Sequence, residues 1–182
     1  YIDRNVLGFV IPTEWFQSVN PVFIILLAPL FSMFWGFLSK RGKNPSIPVK
    51  MAMGMILLGL GFVLMLGAVW QRGGDDASVL VKANLLWLLG TYLMHTMGEL
   101  CLSPIGLSMV SKLSPVRLAS LMMGVWMLSS FFANITAGFI ASFFVSLGAM
   151  SIFAVIAVTS ILLGLFLLAV SKWLTGKMHG VK

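Results

Sequence analysis

Between Lys50 and Arg72 the chain reads MAMGMILLGLGFVLMLGAVWQ, from Met51 to Gln71, without one charged side chain. A helix needs about 20 mainly apolar residues to cross the roughly 30 Å of hydrocarbon in a bilayer. The stretch therefore predicts a transmembrane helix over 51–70. The whole composition agrees, because 59% of the 182 residues are hydrophobic and 9% are charged, whereas a soluble domain has about a quarter of its residues charged.

Four further stretches of similar character lie on either side of this one. They predict membrane spans over 16–38, 83–110, 119–145 and 149–171. The last two come from one long uncharged segment, which we divide at Ser146-Leu147-Gly148 because a turn must join the two helices. The prediction is an all-α integral membrane protein with five transmembrane helices, forming a single transmembrane fragment over 1–182.

The basic residues predict the orientation, because short cytoplasmic loops are enriched in Lys and Arg. Five alternating spans place three of them on one face, namely Arg4, Arg72 and Lys82. The opposite face carries nine, namely Lys40, Arg41, Lys43, Lys50, Lys112, Arg117, Lys172, Lys177 and Lys182. We therefore expect a multi-pass protein of the cell membrane with Tyr1 outside and Lys182 in the cytoplasm. The net charge of +7 follows from this topology, so we expect no nucleic acid partner.

Glu99 is the one acidic residue inside the predicted spans. A carboxylate at mid-bilayer is costly, so such residues are functional candidates: Glu99 binds a cation or a proton, or it is a structural acid paired with a neighbouring helix. Tyr92, His95, Thr96 and Ser103 share its helix face at spacings of three, four and seven. His95, one turn away, is a candidate partner of Glu99 in a proton relay, and the alternative is an imidazole that fills a helix contact.

Two other polar positions lie within or near the spans. Trp126 shares one face of the fourth helix with Ser130 and Asn134, so its indole either walls a pocket or fills a packing contact. Gln17 and Asn20 lie one turn apart where the first helix begins. They either form the interfacial start of that helix or bind a ligand, and the spacing leaves both interpretations open.

Two linked motifs resemble a known family. The segment PTEWFQSVNPVFI, Pro12 to Ile24, with Pro29 after it, resembles the eighth transmembrane helix of the proton-dependent oligopeptide transporters, a branch of the major facilitator superfamily. The segment GELCLSPIGLS, Gly98 to Ser108, followed by Leu113-Ser114-Pro115, resembles the tenth. The resemblance covers almost the whole chain as helices eight to twelve, and Trp126 matches a binding-site tryptophan of helix eleven.

The resemblance implies a fold and a function. The five helices would form part of the C-terminal six-helix bundle of a transporter in the bacterial inner membrane, working by alternating access. The function would be proton-coupled symport of dipeptides and tripeptides, with no enzymatic reaction and no cofactor. Glu99 would hold the substrate ammonium group, and Asn20 would bond the amine or the first carbonyl. Trp126 would line a side-chain pocket, and Ser103 would lie beside Glu99.

The resemblance also implies parts that would precede Tyr1. These are the acidic and arginine motif of the first helix, the cation for the peptide carboxylate, and the seventh helix. Because the sequence has neither an initiator Met nor a signal peptide, we expect a piece of a larger transporter whose partners are its own N-terminal helices, the lipid bilayer, protons and peptides. On this view the five helices alone do not transport, and whether copies form a homo-oligomer stays open.

Three alternatives remain at this stage. The nearest is a transporter of the same superfamily for another amine-bearing or cationic small molecule. An intramembrane metalloenzyme would use His95 and Glu99, but the only other histidine is His179 in the tail, so we expect no metal site. A structural module would contact another subunit through Gly54, Gly59 or Gly61, or through the face of small residues on the fourth helix, because small residues let helices approach closely.

Overall fold

A computed structural model describes residues 2–6, 9–10, 12–75 and 81–177 of the chain. Its main elements are five long helices: α1 (Val19–Lys40), α2 (Ile47–Gln71), α3 (Leu85–Leu113), α4 (Ala119–Ser142) and α5 (Phe144–Lys177). Short 3₁₀ helices over Thr13–Ser18 and Val116–Leu118 precede α1 and α4. All five helical segments are long and apolar enough to cross a bilayer. The predicted fold class, an all-α membrane protein with five transmembrane helices, is confirmed.

The observed helices extend beyond several of the predicted spans. α2 begins at Ile47 rather than Met51, α3 ends at Leu113 rather than Val110, and α5 ends at Lys177. The predicted limits were placed at charged side chains. Lys and Arg near a helix end keep their charged heads in the headgroup region while their apolar stems lie along the helix, so a charge marks the edge of the hydrocarbon better than the end of a helix.

The first residues form a small hairpin outside the predicted spans. β1 (Asn5–Val6) pairs antiparallel with β2 (Phe9–Val10). Before β1, the backbone N–H of Asp3 donates to the carbonyl of Ala83 at 2.8 Å, and the Asp3 carboxylate lies 3.9 Å from the Lys82 ammonium. These contacts attach the start of the chain to the residues that lead into α3.

α2 is the central helix and packs along both α3 and α5. Glycines permit the close approach. A Cβ atom added at Gly54 would lie 2.7 Å from the carbonyl oxygen of Gly98 on α3, and one added at Gly59 would lie 3.0 Å from the carbonyl oxygen of Ala157 on α5. The first distance is shorter than real Cβ atoms show, and the second is tighter than nearly all of their contacts. The backbones therefore touch where the sequence offers glycine, as small residues allow in membrane helices.

The interpretation of Gly54, Gly59 and Gly61 as contacts with another subunit is therefore wrong. Gly54 and Gly59 are buried inside the chain against α3 and α5, and Gly61 leaves space for the ring of His95. The sequence shows that helices can approach closely at these positions. It does not show whether the approaching helix belongs to the same chain.

α1 and α4 lie at the edges of this three-helix core. α1 contacts α3, and α4 contacts α3 and, at one end, α5. No residue of α1 or α4 is buried. The wide apolar sides of both helices are therefore open within this chain, and α3 is the element that connects them.

Asp75 connects the segment after α2 to the kink at Gly148 in α5. α5 is kinked at Gly148, the residue near which we divide the long uncharged segment, because Gly148 has the left-handed φ of 76°. The Asp75 carboxylate accepts hydrogen bonds from the backbone N–H groups of Ala149 and Met150, each at 3.0 Å. The first amides of a helix lack partners within it, so a carboxylate 74 residues earlier caps the part of α5 that follows the kink at Gly148.

Replacing Gly148 with Ala is expected to lower the free energy of unfolding by about 2–3 kcal/mol. A left-handed residue with a side chain costs roughly 1–2 kcal/mol, and loss of a helix cap costs about 1 kcal/mol. Both apply here because the new Cβ would lie 2.5 Å from an Asp75 carboxylate oxygen. Denaturation in detergent micelles measures the loss. Gly42→Ala is the matched control, since Gly42 has a φ of 67° and no neighbour within 4 Å; equal losses in the two variants would refute a role for the Asp75 cap.

Candidate binding site between the first and third helices

Asn20 and Glu99, predicted as ligand-binding residues on separate helices, lie together in the structure. The Asn20 side chain of α1 donates from Nδ2 to the Glu99 carboxylate of α3 at 3.0 Å. Both side chains are partly buried. A polar contact at this depth in a membrane protein is energetically justified only where it fills a helix contact or faces a cavity, and this one lies on the side of α3 that meets α1.

Thr96 completes a chain of three polar side chains. It is fully buried, and its hydroxyl oxygen lies 2.6 Å from Oδ1 of Asn20 and 2.8 Å from the carbonyl oxygen of Tyr92. The sequence placed Thr96 on the face of Glu99 but gave it no role. Its position three residues before an intramembrane acid could have identified it as a site residue, since residues at that spacing are neighbours on a helix.

The Glu99 carboxylate has acceptor positions left for a cation. Among the described residues, no Lys, Arg or His side chain forms a salt bridge with it. An ionised carboxylate offers about four lone-pair positions, and the amide of Asn20 occupies one. The carboxyl group of Glu99 therefore has no basic partner in the described part of the chain.

Ser103 lies farther along α3 toward its C-terminal end, and Trp126 of α4 contacts α3 in the same direction. Ser103 is exposed on the turn after Glu99, and no hydrogen bond joins the two in the described ranges. The indole of Trp126 lies directly over Gly106, whose missing side chain makes the space for it. Gly106 is seven residues, or about 10 Å along the helix, beyond Glu99. The structure thus places Ser103 itself and the contact of Trp126 with Gly106 on the C-terminal side of Glu99 along α3.

Trp126 also walls a cavity of about 440 Å³ between α3 and α4. Its lining is mostly apolar and consists of Met109, Val110, Leu113, Ser114, Pro115, Met122, Val125, Trp126 and Ser129. The flexible side chains of Met109 and Met122 adapt readily to different neighbours. The indole of Trp126 therefore contacts both Gly106 of α3 and this mostly apolar space.

His95 points away from the Glu99 site. Its ring packs against Phe62 of α2, with 4.8 Å between ring centroids, in the space that Gly61 leaves. No hydrogen bond between His95 and Glu99 occurs in the described part of the chain, and Nε2 of His95 is buried without a hydrogen-bond partner there. This geometry favours the interpretation of His95 as an imidazole filling a helix contact. A proton relay through it stays a prediction.

Other sequence predictions concern residues that the structure does not describe. Tyr1, His179 and Lys182 lie outside the described residues, so the histidine of the tail and the two ends of the chain cannot be placed. Within the described ranges, no three His, Cys, Asp or Glu side chains are grouped closely enough to hold a metal ion.

Known proteins share this fold and sequence. The sequence profile of the POT family matches residues 1–171. A peptide transporter of Yersinia enterocolitica, YePEPT, is 45% identical over 143 residues, which are 77% of this chain and 27% of that protein. A di-/tripeptide transporter of Lactococcus lactis subsp. cremoris is 32% identical over 174 residues, 96% of this chain and 34% of that protein.

A solved structure supports the same relationship. The crystal structure of a mutant form of the peptide transporter POT, in complex with alafosfalin, superposes with a TM-score of 0.86 at 35% identity. The match covers 97% of this chain and 35% of that one. The chain therefore spans about a third of the length of the relatives it matches. From the match over nearly its whole length we conclude that this chain belongs to the POT family of transporters.

Proposed function

We propose that the protein containing this chain carries out proton-coupled symport of dipeptides and tripeptides, and that this chain supplies the site for the peptide ammonium group. The observation that carries the proposal is the hydrogen bond between Asn20 and Glu99, which joins α1 and α3 around a carboxylate without a basic partner in the described chain. In this proposal Glu99 binds the ammonium, and Asn20 binds the amine or the first carbonyl group.

The chemistry of the substrate fits such a site. Every unmodified peptide has an N-terminal ammonium group, whatever its side chains. Hydrogen bonds between ionised partners are roughly twice as strong as neutral ones, and they strengthen further where water is scarce. A carboxylate that recognises the ammonium therefore binds peptides of many sequences, because it contacts the part that they share.

The separation of Glu99 and Trp126 suits a short peptide. An extended chain advances about 3.3–3.6 Å per residue, so the roughly 10 Å along α3 between Glu99 and the Trp126 contact spans two to three residues. With its ammonium at Glu99, a dipeptide or tripeptide reaches the indole with a side chain. Ser103 lies between the two positions and offers a hydroxyl to the peptide backbone.

The remaining parts of the proposal concern coupling and location. Glu99 is also the proposed proton site of this chain, since protonation removes the charge that holds the ammonium. We place the protein in a bacterial inner membrane with the end of α5 in the cytoplasm, because the basic residues concentrate at that end of the helices. Its expected partners are the other helices of the transporter and the lipid bilayer, and an assembly of several copies is compatible with the open sides of α1 and α4.

Uptake into liposomes tests the proposal. The protein at its full encoded length is reconstituted, the outside is made acidic, and labelled Ala-Ala is added. We expect uptake that depends on the proton gradient and that unlabelled trialanine competes away. N-acetylated Ala-Ala is the matched competitor, since it differs by loss of the ammonium, and we expect it to compete at least tenfold more weakly. Uptake that ignores the gradient, or equal competition by the acetylated peptide, would contradict the proposal.

A further inference from the structure

The amide group of Asn20 has two chemically different ends, and the surroundings determine which end faces Glu99. Nδ2 donates hydrogen bonds and Oδ1 accepts them. An ionised carboxylate can only accept, so the end that faces Glu99 in that state must be Nδ2, as the 3.0 Å contact has it. The opposite end, Oδ1, then requires a donor. Thr96 provides one at 2.6 Å from a fully buried position.

The hydroxyl group of Thr96 determines which of the two orientations of the Asn20 amide is favoured. Were the amide reversed, Oδ1 would face the carboxylate oxygen, and two acceptors would repel each other at hydrogen-bond distance. The hydroxyl of Thr96 has one proton and two acceptors within reach, Oδ1 of Asn20 and the carbonyl of Tyr92. Donation to Oδ1 satisfies all three side chains at once, which makes this the arrangement consistent with an ionised Glu99.

Thr91 is a second buried threonine of α3, and its hydroxyl has no contact with a residue of the proposed site. It lies on the same helix, is similarly buried, and its hydroxyl bonds the carbonyl of Trp87 four residues earlier at 2.8 Å. The Thr96 hydroxyl oxygen lies at the same distance from the carbonyl oxygen of Tyr92. The second acceptor differs: it is the Gly61 backbone carbonyl for Thr91 and the Asn20 side chain for Thr96. Comparing substitutions of the two threonines therefore distinguishes a role in helix packing from a role in the site.

We propose that Thr96 is a positioning residue of the peptide site, whose hydroxyl fixes the Asn20 amide so that its N–H group faces Glu99. The inference rests on the proposed function for its effect on peptides. Thr96 itself does not touch the substrate in this arrangement. It acts through Asn20, which holds the Glu99 carboxylate in place for the incoming ammonium.

The test compares Thr96→Val, Thr96→Ser and Thr91→Val in uptake of labelled Ala-Ala by the full-length protein. Valine keeps the shape of threonine but removes the hydroxyl. Loss of one hydrogen bond changes an equilibrium by about three- to tenfold, so we expect Thr96→Val to raise KM by that factor with less change in kcat. Thr96→Ser retains the hydroxyl and is expected to keep KM within about twofold of the original value, and Thr91→Val to leave KM unchanged.

A double substitution identifies the partner through which Thr96 acts. In an Asn20→Ala background, Thr96→Val should have no further effect on KM, whereas an effect of helix packing alone would persist. Equal KM values for Thr96→Val and Thr91→Val, failure of Thr96→Ser to restore KM, or full additivity with Asn20→Ala would each overturn the proposal.

Thermal unfolding in detergent separates this inference from the proposed function. The same set of variants is melted without peptide, and we expect the effects of Thr96→Val and Asn20→Ala on Tm to be non-additive while those of Thr91→Val and Asn20→Ala add. Absence of Ala-Ala uptake by the unsubstituted protein would defeat the proposed function but leave this coupling measurable. Additive Tm effects at Thr96 and Asn20 would defeat the positioning role whatever the protein transports.

Discussion

Substituting Gln for Glu99 is expected to reduce kcat/KM for uptake of labelled Ala-Ala about a hundredfold. Breaking a partly buried ion pair by removing one charge costs roughly 3 kcal/mol, and each 1.4 kcal/mol is a factor of ten. The substitution removes little else. The amide oxygen of Gln accepts the hydrogen bond that Asn20 donates across 3.0 Å to the carboxylate, so the contact between α1 and α3 is retained. Gradient-driven uptake into liposomes measures the effect.

The chain contains its own control for this substitution. Glu14 is the other glutamate; it lies in the 3₁₀ helix before α1 and is exposed. Glu14→Gln removes the same charge from the same protein outside the site, and we expect uptake to remain within about twofold, as for a surface substitution. Unchanged uptake by Glu99→Gln would mean that the carboxylate holds α1 against α3 without binding substrate. Equal losses in the two variants would point to net charge rather than to the site.

The sequence predicted the fold well because the membrane limits what a chain can do. Hydrocarbon excludes unpaired backbone groups, so an uncharged run of the length of Met51–Trp70 has few structures available other than a helix. The division near Gly148 followed from the same reasoning, since one segment was long enough for two spans. The same reasoning could not predict which helices pack against each other. The glycines of α2 indicated close contacts, but nothing in their spacing distinguished a helix of the same chain from another subunit.

The sequence identified individual residues of the site, but it predicted few of the contacts between them. Glu99 was identifiable because a buried charge is costly wherever its partner lies. Its hydrogen bond with Asn20 joins residues that are 79 positions apart in the sequence. Such a contact depends on how the helices pack, and the periodicity of residues within one helix does not predict that packing. The same limit applies to His95 and Thr96. Both share a helix face with Glu99 in projection, yet His95 packs against α2 while Thr96 bonds Asn20 of α1.

A substitution one residue before Glu99 is expected to disturb both the helix packing and the site. Gly98 is buried where α3 crosses α2, and a Cβ atom added there would lie 2.8 Å from the carbonyl oxygen of Gly54 and 3.4 Å from the backbone nitrogen of Leu58. Backbone atoms cannot rotate out of the way as a side chain can. We therefore expect Gly98→Ala to push the two helices apart at a cost of about 1–3 kcal/mol, and Gly98→Val to cost more.

The displacement should be measurable at the site as well as in the stability. Because Gly98 adjoins Glu99, moving α3 away from α2 shifts the carboxylate relative to Asn20, and a displacement of about 1 Å is enough to weaken a positioned contact strongly. We expect Gly98→Ala to lower Tm in detergent and to reduce Ala-Ala uptake together. Gly90→Ala is the matched control on the same two helices, because its Cβ would meet only the terminal methyl carbon Cδ1 of Leu64 at 3.3 Å, which can move aside. Normal Tm and uptake in Gly98→Ala would show that α2 and α3 do not cross at this glycine pair, and the position assigned to Glu99 would then be wrong as well.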